Sequence, residues 1–227
     1  MADCSQPRAP CAGSVFGGLL ATVSPDARAW LTARLRERVV PAGTVLARPG
    51  SDLAEVAEVL DGTLGVMQRM TNGRAHLIGV LMARDICGHP YEGPATCRIE
   101  ALTDVRLLAL PRTDLETVIE QDPGADQQLS AHLLEVLDRT GDWLQVIGRR
   151  RVTERVAAFV MILARRSGTA GSLRLPLTRA QLALHLGTRP ETLSRSLHEL
   201  ETRGAIRLLD PYQLCLTDVP LLARIAG

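Results

Sequence analysis

The apolar positions of this chain change their period twice along its length. From Val39 to about Leu110 they come in short runs, such as Leu64–Met70 and His76–Leu81, separated by turn-forming residues. Pro41-Ala42-Gly43, Arg48-Pro49-Gly50, Asp61-Gly62 and Asn72-Gly73 punctuate the runs, and the Asp-Gly and Asn-Gly pairs supply the positive φ that tight hairpins require. Many short strands in about seventy residues predict a small antiparallel barrel or roll. Ahead of them, Ser24-Pro25-Asp26 has a capping Ser and a first-turn Pro. A short helix is expected from there through Arg38, burying Trp30, Leu31 and Leu35. Residues 1–18 are rich in Gly, Pro, Ser and Cys and read as a mobile arm.

After Pro111 the period becomes helical. Asp122-Pro123 opens a long helix expected to end near Gly148. Leu129, Leu133, Val136, Thr140, Trp143 and Ile147 recur in it at spacings of 4, 3, 4, 3 and 4, the pattern of a heptad seam. So narrow a stripe predicts a parallel homodimer, the alternative being a helix that lies on its own domain. Gly141 inside it costs about 1 kcal/mol of helix stability, so tertiary contacts must hold this turn. Gly148 and Arg149-Arg150-Arg151 read as a hinge. A helix over 152–166 then buries Val152, Val156, Phe159, Val160 and Leu163.

The stretch from Leu177 to Leu200 is the most informative. A short helix from Arg179 to Leu186, capped by Thr178, is followed by a turn at Gly187 and a second helix. Small Ala183 sits where two steeply crossing helices must approach, so the segment reads as a helix-turn-helix. On the second helix Leu193, Leu197 and Leu200 form one face, and Glu191, Ser194, Arg195 and His198 the opposite one. That polar face fits duplex DNA. Arg can grip guanine O6 and N7, Glu can accept from cytosine N4, and Ser serves either base type. Ala205 to Thr217 reads as two short strands around Asp210-Pro211, a wing, with Cys215 as core.

Charge supports this division. The net charge of +1 hides 13 Arg against 6 acids in residues 149–227, and 13 Arg against 19 acids in residues 1–148. Nucleic acid is therefore expected at one end only. No apolar run approaches the roughly 18 residues of a membrane span, and the first twenty residues lack a signal-peptide pattern, so a cytoplasmic protein is expected. Cys4, Cys11, Cys87, Cys97 and Cys215 are odd in number and scattered, which leaves buried thiols, a metal site or a redox site open. No phosphate-cradling Gly-rich loop, zinc-protease motif or Ser nucleophile elbow occurs, so no enzyme is expected. The competing non-enzyme reading is a β-roll adaptor with a degenerate helix-turn-helix.

Thr178-Arg179 and Glu191-Thr-Leu-Ser-Arg195 resemble the CRP/FNR superfamily of bacterial transcription regulators, the second in the form of its FNR branch. Pro41-Ala-Gly-Thr-Val-Leu46 and Asp61-Gly-Thr-Leu-Gly65 resemble the family's β-roll, Thr71-Asn-Gly-Arg74 its hairpin, and Asp85-Ile-Cys-Gly88 the turn before its effector loop. Asp142-Trp-Leu-Gln-Val-Ile-Gly-Arg149 is similar to FNR-like proteins at the end of the dimer helix. The resemblance implies an α+β chain in four parts. These are an arm (1–18), a cyclic-nucleotide-binding-like antiparallel β-roll sensor domain (19–111), a dimerisation helix (112–148) and a winged helix-turn-helix (149–227). It implies a homodimer on a palindrome with a TTGA core. Arg195 would read guanine, Glu191 a cytosine or adenine edge and Ser194 a thymine, with Thr178, Arg179 and Arg189 on phosphates. Pro190 stands where the CRP branch has another base-reading Arg, which disfavours a GTGA core. RNA polymerase is the implied partner of an activator.

The same resemblance offers three sensor chemistries. A cyclic nucleotide needs a Gly-Glu turn and an Arg-Ser or Arg-Thr pair, and residues 83–100 have neither. An iron–sulfur cluster would need Cys4 and Cys11 joined by Cys87 and Cys97, because Leu108 occupies the family's central cysteine position. Haem rests on Cys87-Gly88-His89, similar to a Cys-x-His in a carbon-monoxide-sensing member, with His76 as a further candidate. Oxygen, nitric oxide or redox state is the expected signal, and no cofactor is assigned.

Overall fold

Val105–Pro111 is a nearly unbroken apolar strand, and such a strand needs cover on both faces. The computed structural model, which describes residues 14–227 except 70–74, 90, 92 and 170, supplies both covers. Contacts divide the chain into two compact units, residues 1–135 and 136–227, with the division falling inside the long helix.

Among the described residues the first unit begins with two helices, α1 (Val15–Thr22) and α2 (Pro25–Thr32). The strands β1 (Arg36–Val40), β2 (Val45–Ala47), β3 (Glu55–Asp61), β4 (Leu64–Arg69), β5 (Ala75–Leu81), β6 (Ile86–Cys87), β7 (Arg98–Ala101) and β8 (Val105–Pro111) follow. They form two antiparallel four-stranded sheets, in the orders β1-β8-β3-β6 and β2-β7-β4-β5. Leu107 and Ala109 of β8 join Ala57, Val59, Leu64 and Ala101 in a core drawn from both sheets. Leu108 and Leu110 point the other way, as the two-residue period of a strand requires, and pack with Phe16, Leu20, Leu31 and Leu115 of the helices. The Asp61-Gly62 turn needs its glycine: φ is +86°, and a Cβ there would run into the carbonyl of Asp104. The Asn72-Gly73 hairpin and Met70 lie outside the described residues.

α3 (Arg112–Gln121) precedes α4 (Pro123–Gly148), which starts and ends where the sequence places the long helix. The second unit continues with α5 (Val152–Ser167), β9 (Ser172–Arg174), α6 (Arg179–His185), α7 (Pro190–Thr202), β10 (Ile206–Asp210), β11 (Gln213–Leu216) and α8 (Val219–Ala226). α5 packs on α7 and α8, and the three strands form one sheet in the order β10-β11-β9.

Several expectations are corrected. α1 begins at Val15, inside the stretch expected as an arm, and buries Phe16, Leu19 and Leu20. The second helix ends at Thr32 rather than Arg38, because Arg36 to Val40 pair with β8, and strand pairing overrides the helical signal. Trp30 is only half-buried, whereas Leu31 and Leu35 are core. Leu214 and Leu216 point into the core, so Cys215 between them faces outward and is half-exposed.

The stripe expected as a seam on α4 is exposed only in part. Leu133, Val136 and Ile147 are exposed, as a partner-facing stripe requires, and Thr140 is exposed with them. Leu129 is half-buried. Trp143 has left the stripe. Its ring packs 5.6 Å from Phe159 and 4.9 Å from His185, the latter edge-on. Leu137 and Leu144, 66% and 62% exposed, share the helix face of Leu133, Thr140 and Ile147 and complete a heptad pattern in its place.

Candidate nucleic-acid interface

α6 starts at a capping box. Thr178 Oγ1 accepts from Gln181 N at 3.2 Å, and Gln181 Oε1 accepts from Thr178 N at 2.9 Å. It ends at His185, and just beyond its cap Gly187, with a φ of +63°, lets Thr188 N reach back to Ala183 O at 2.9 Å. Ala183 is buried at the crossing, as its small size predicts. α7 then begins with Arg189 at the cap and Pro190 in the first turn.

Leu193, Leu197 and Leu200 are fully buried, and they fix the roll of α7 about its axis. The opposite face presents Glu191, Arg195 and His198 to solvent, with Ser194 half-buried among them. His198 Nδ1 lies 2.9 Å from Ser194 O, so its ring folds along the helix and leaves Arg195 as the longest side chain on that face. Glu191 sits in the first turn, where the helix dipole favours a negative group. Arg189 is exposed at the same end. Arg179 is half-buried at the start of α6. Burial pulls its pKa below the usual arginine value, with Asp210 opposing that shift, and its Nη1 has no hydrogen-bond partner within the described residues. A phosphate oxygen would satisfy that donor.

Two further groups hold this arrangement from behind and were not foreseen. Ser196 is buried on α7 and is reached by Thr153 Oγ1 at 3.2 Å, while the same hydroxyl donates to Glu199 Oε2 at 2.7 Å. Arg155 donates to Leu186 O at the end of α6. The polar first turn of α5, Thr153-Glu154-Arg155 ahead of an apolar run from Val156 to Ala164, is the signal that could have found them.

The sensor candidates fare differently. Cys87 is 5% exposed in the inner core of the roll, paired across from Ala57. Burial pushes its thiol up to about 11, with Arg38 opposing, so it is held protonated; this is the reverse of a reactive, low-pKa sensor thiol. His89 is half-buried two residues on, beside Gly93. Burial of Cys87 opposes thiolate ligation of haem. A cyclic nucleotide fits no better. Arg84 stands exposed in a turn, Arg98 is held by Glu100 at 2.9 and 2.6 Å, and Ala95 is buried with its backbone bonded to Ser51. His76 is exposed on β5, and Cys97 is half-buried. Cys4 and Cys11 lie outside the described residues.

The Cys87 environment has a measurable consequence. The folded pKa of about 11 lies above the 9.0 of an unperturbed thiol, so this stabilisation is complete below pH 9 and lost as pH rises toward 11. Wild type should lose on the order of 1 kcal/mol of stability between pH 8 and pH 10 relative to Cys87→Ala. Urea unfolding of both proteins at the two pH values checks it; parallel losses would show that the thiol does not titrate in this way.

A β-roll followed by a long helix and a winged helix-turn-helix with a polar Glu-Ser-Arg face opposite its buried leucines defines a DNA-binding transcription regulator. The Crp-like helix-turn-helix domain family matches residues 154–225, and the cyclic nucleotide-binding domain family matches residues 37–122. The transcriptional activator protein FnrL of Cereibacter sphaeroides is 30% identical over 198 residues, 84% of this chain and 80% of that protein. The CRP-like cAMP-activated global transcriptional regulator of Mycobacterium tuberculosis is 30% identical over 216 residues, 92% of this chain and 96% of that one. The solved structure of FixK2 from Bradyrhizobium japonicum shares the fold, with a TM-score of 0.78 over 85% of this chain and 98% of that one, at 24% identity. The chain belongs to the CRP/FNR family, on its FNR-like branch.

Proposed function

We propose that the chain acts as a homodimer on an inverted repeat with a TTGA-type half-site, entering the major groove with α7. Arg195 reads the guanine, Glu191 a neighbouring cytosine or adenine edge, and Ser194 a thymine. Thr178, Arg179 and Arg189 hold phosphates. The reading is carried by one observation: α7 buries one complete face and presents Glu191, Ser194 and Arg195 together on the other. The exposed apolar face of α4, with Leu133, Leu137, Leu144 and Ile147, supports pairing with a second copy, since a stripe of that kind is stable in water only when covered. Relatives described as transcriptional activators support an activating role with RNA polymerase as partner, in the cytoplasm and without catalysis.

The input on this reading is oxygen, nitric oxide or redox state. Anaerobic purification with an absorption spectrum and iron analysis identifies the chemistry: a haem band, a broad iron–sulfur absorbance or a colourless protein each point to a different class. The DNA reading is tested by titrating the protein into TTGA inverted-repeat and random duplexes at moderate salt, with aerobic and anaerobic preparations. A preference of at least about 10³ for the repeat is expected, and equal affinities in both preparations would remove it.

A further inference from the structure

We propose that Arg155 is a positioning residue that ties the hinge after α4 to the turn of the helix-turn-helix, and so sets the half-site spacing the protein accepts. The inference rests on the dimer reading above. Arg155 Nε donates to Arg149 O at 2.8 Å, and its Nη1 donates to Leu186 O at 3.1 Å. Arg149 is the first residue beyond α4, and Leu186 caps α6 just before Gly187. Carbonyls at helix ends lack intrahelical donors and carry partial negative charge, so a cation with several N–H groups suits them. A guanidinium holds its donors in one rigid plane, so these two carbonyls are kept at a fixed separation. The hinge turn cannot rotate against the DNA-reading turn without stretching one of the two bonds.

The surroundings fit that role. A Cβ at Gly187 would lie 3.8 Å from Arg155 Nη1, so the guanidinium lies against the turn itself. Two residues earlier, Thr153 fastens the same end of α5 to Ser196 and Glu199 of α7. The first turns of α5 thus grip both helices of the motif, while Arg155 also grips the hinge. Arg149 extends the link, donating from Nη2 to Gly227 O at 2.7 Å beyond α8. Each of these contacts lies within residues 136–227.

In a dimer on an inverted repeat, tolerance of spacing measures how firmly each reading motif is joined to its hinge. One added base pair turns a half-site by about 35° and shifts it by about 3.4 Å. The experiment uses the full chain on duplexes with the inverted repeat at its best spacing and one base pair longer or shorter. Wild type should lose about a hundredfold in affinity on the altered duplexes. Arg155→Gln should lose about tenfold on the best one and show a spacing penalty of about tenfold or less. Arg155→Lys reaches one carbonyl at a time and should fall between the two. Thr153→Val, which gives up the bonds to Ser196 and Glu199 but leaves the hinge link, should keep the wild-type penalty; this separates lost coupling from a weakened domain.

An Arg155→Gln protein with the wild-type spacing penalty overturns the proposal. So does a salt slope shallower by about 1, which would make Arg155 a phosphate ligand instead. A wild type with no preference for an inverted repeat removes the dimer reading, and this inference with it, and that failure is visible before any variant is made.

Discussion

Arg195→Ala is expected to weaken binding to the preferred inverted repeat by about 1–3 kcal/mol, a factor of roughly 5 to 150, and to relax discrimination at one base-pair position. The expectation rests on how α7 is held. Leu193, Leu197 and Leu200 are sealed in the core, so the helix cannot roll to bring another side chain to that place. His198 is folded back onto Ser194 O and is not aimed outward as a substitute. Binding should be measured with all four base pairs at the position assigned to guanine. A uniform drop for all four would mean that Arg195 contacts backbone and reads nothing. Arg195→Lys should restore much of the charge but less of the discrimination, because lysine lacks the bidentate fork.

Glu58→Ala should destabilise the first unit by roughly 3 kcal/mol. Glu58 is 1% exposed on the helix-facing side of β3, opposite Leu108. Its Oε2 accepts from Ser14 Oγ at 3.0 Å and Phe16 N at 2.9 Å, and its Oε1 accepts from Val15 N at 3.0 Å. These are donors at the start of α1, which has few partners of its own there. Alanine leaves them unmet in a buried place and loosens the seat of Phe16 and Leu20 in the core. Glu58→Gln keeps one acceptor but turns an NH₂ toward the backbone N–H groups, so it should recover only part of the loss. Urea unfolding is the measurement. Equal midpoints for wild type and Glu58→Ala would show that α1 is held by its apolar residues alone.

The helix-turn-helix was legible because its determinants are local. Thr178 caps α6, Gly187 makes the turn, and the 3.6-residue period sorts Leu193 and Leu197 from Glu191 and Arg195. α8 carries a local signal too, since Asp218 caps Leu221 N at 2.8 Å with Pro220 in the first turn. α1 was hidden for a physical reason. Its sequence, Val-Phe-Gly-Gly-Leu-Leu-Ala-Thr, has two glycines and no polar face, and it is secured by Glu58 on a distant strand and by close packing of Gly18 against Gln128. Trp143 misled in another way. Periodicity assigns a residue to a stripe to within one position, and the choice between Trp143 and Leu144 was made by Phe159 and His185, which the heptad pattern does not contain. Arg155 was unreadable in the same sense, since its two acceptors come from a turn six residues before it and another thirty-one residues after it.

The placement of the indoles gives this protein built-in optical reporters. The chain has two tryptophans, one in each compact unit. Trp30 lies beneath the Arg34 guanidinium at 3.8 Å, and Trp143 stands in the cluster with Phe159 and His185. Replacing either one with phenylalanine leaves a chain whose tryptophan emission comes from a single unit. The melting of the first unit and that of the DNA-reading second unit then become separable signals, recorded without any attached dye.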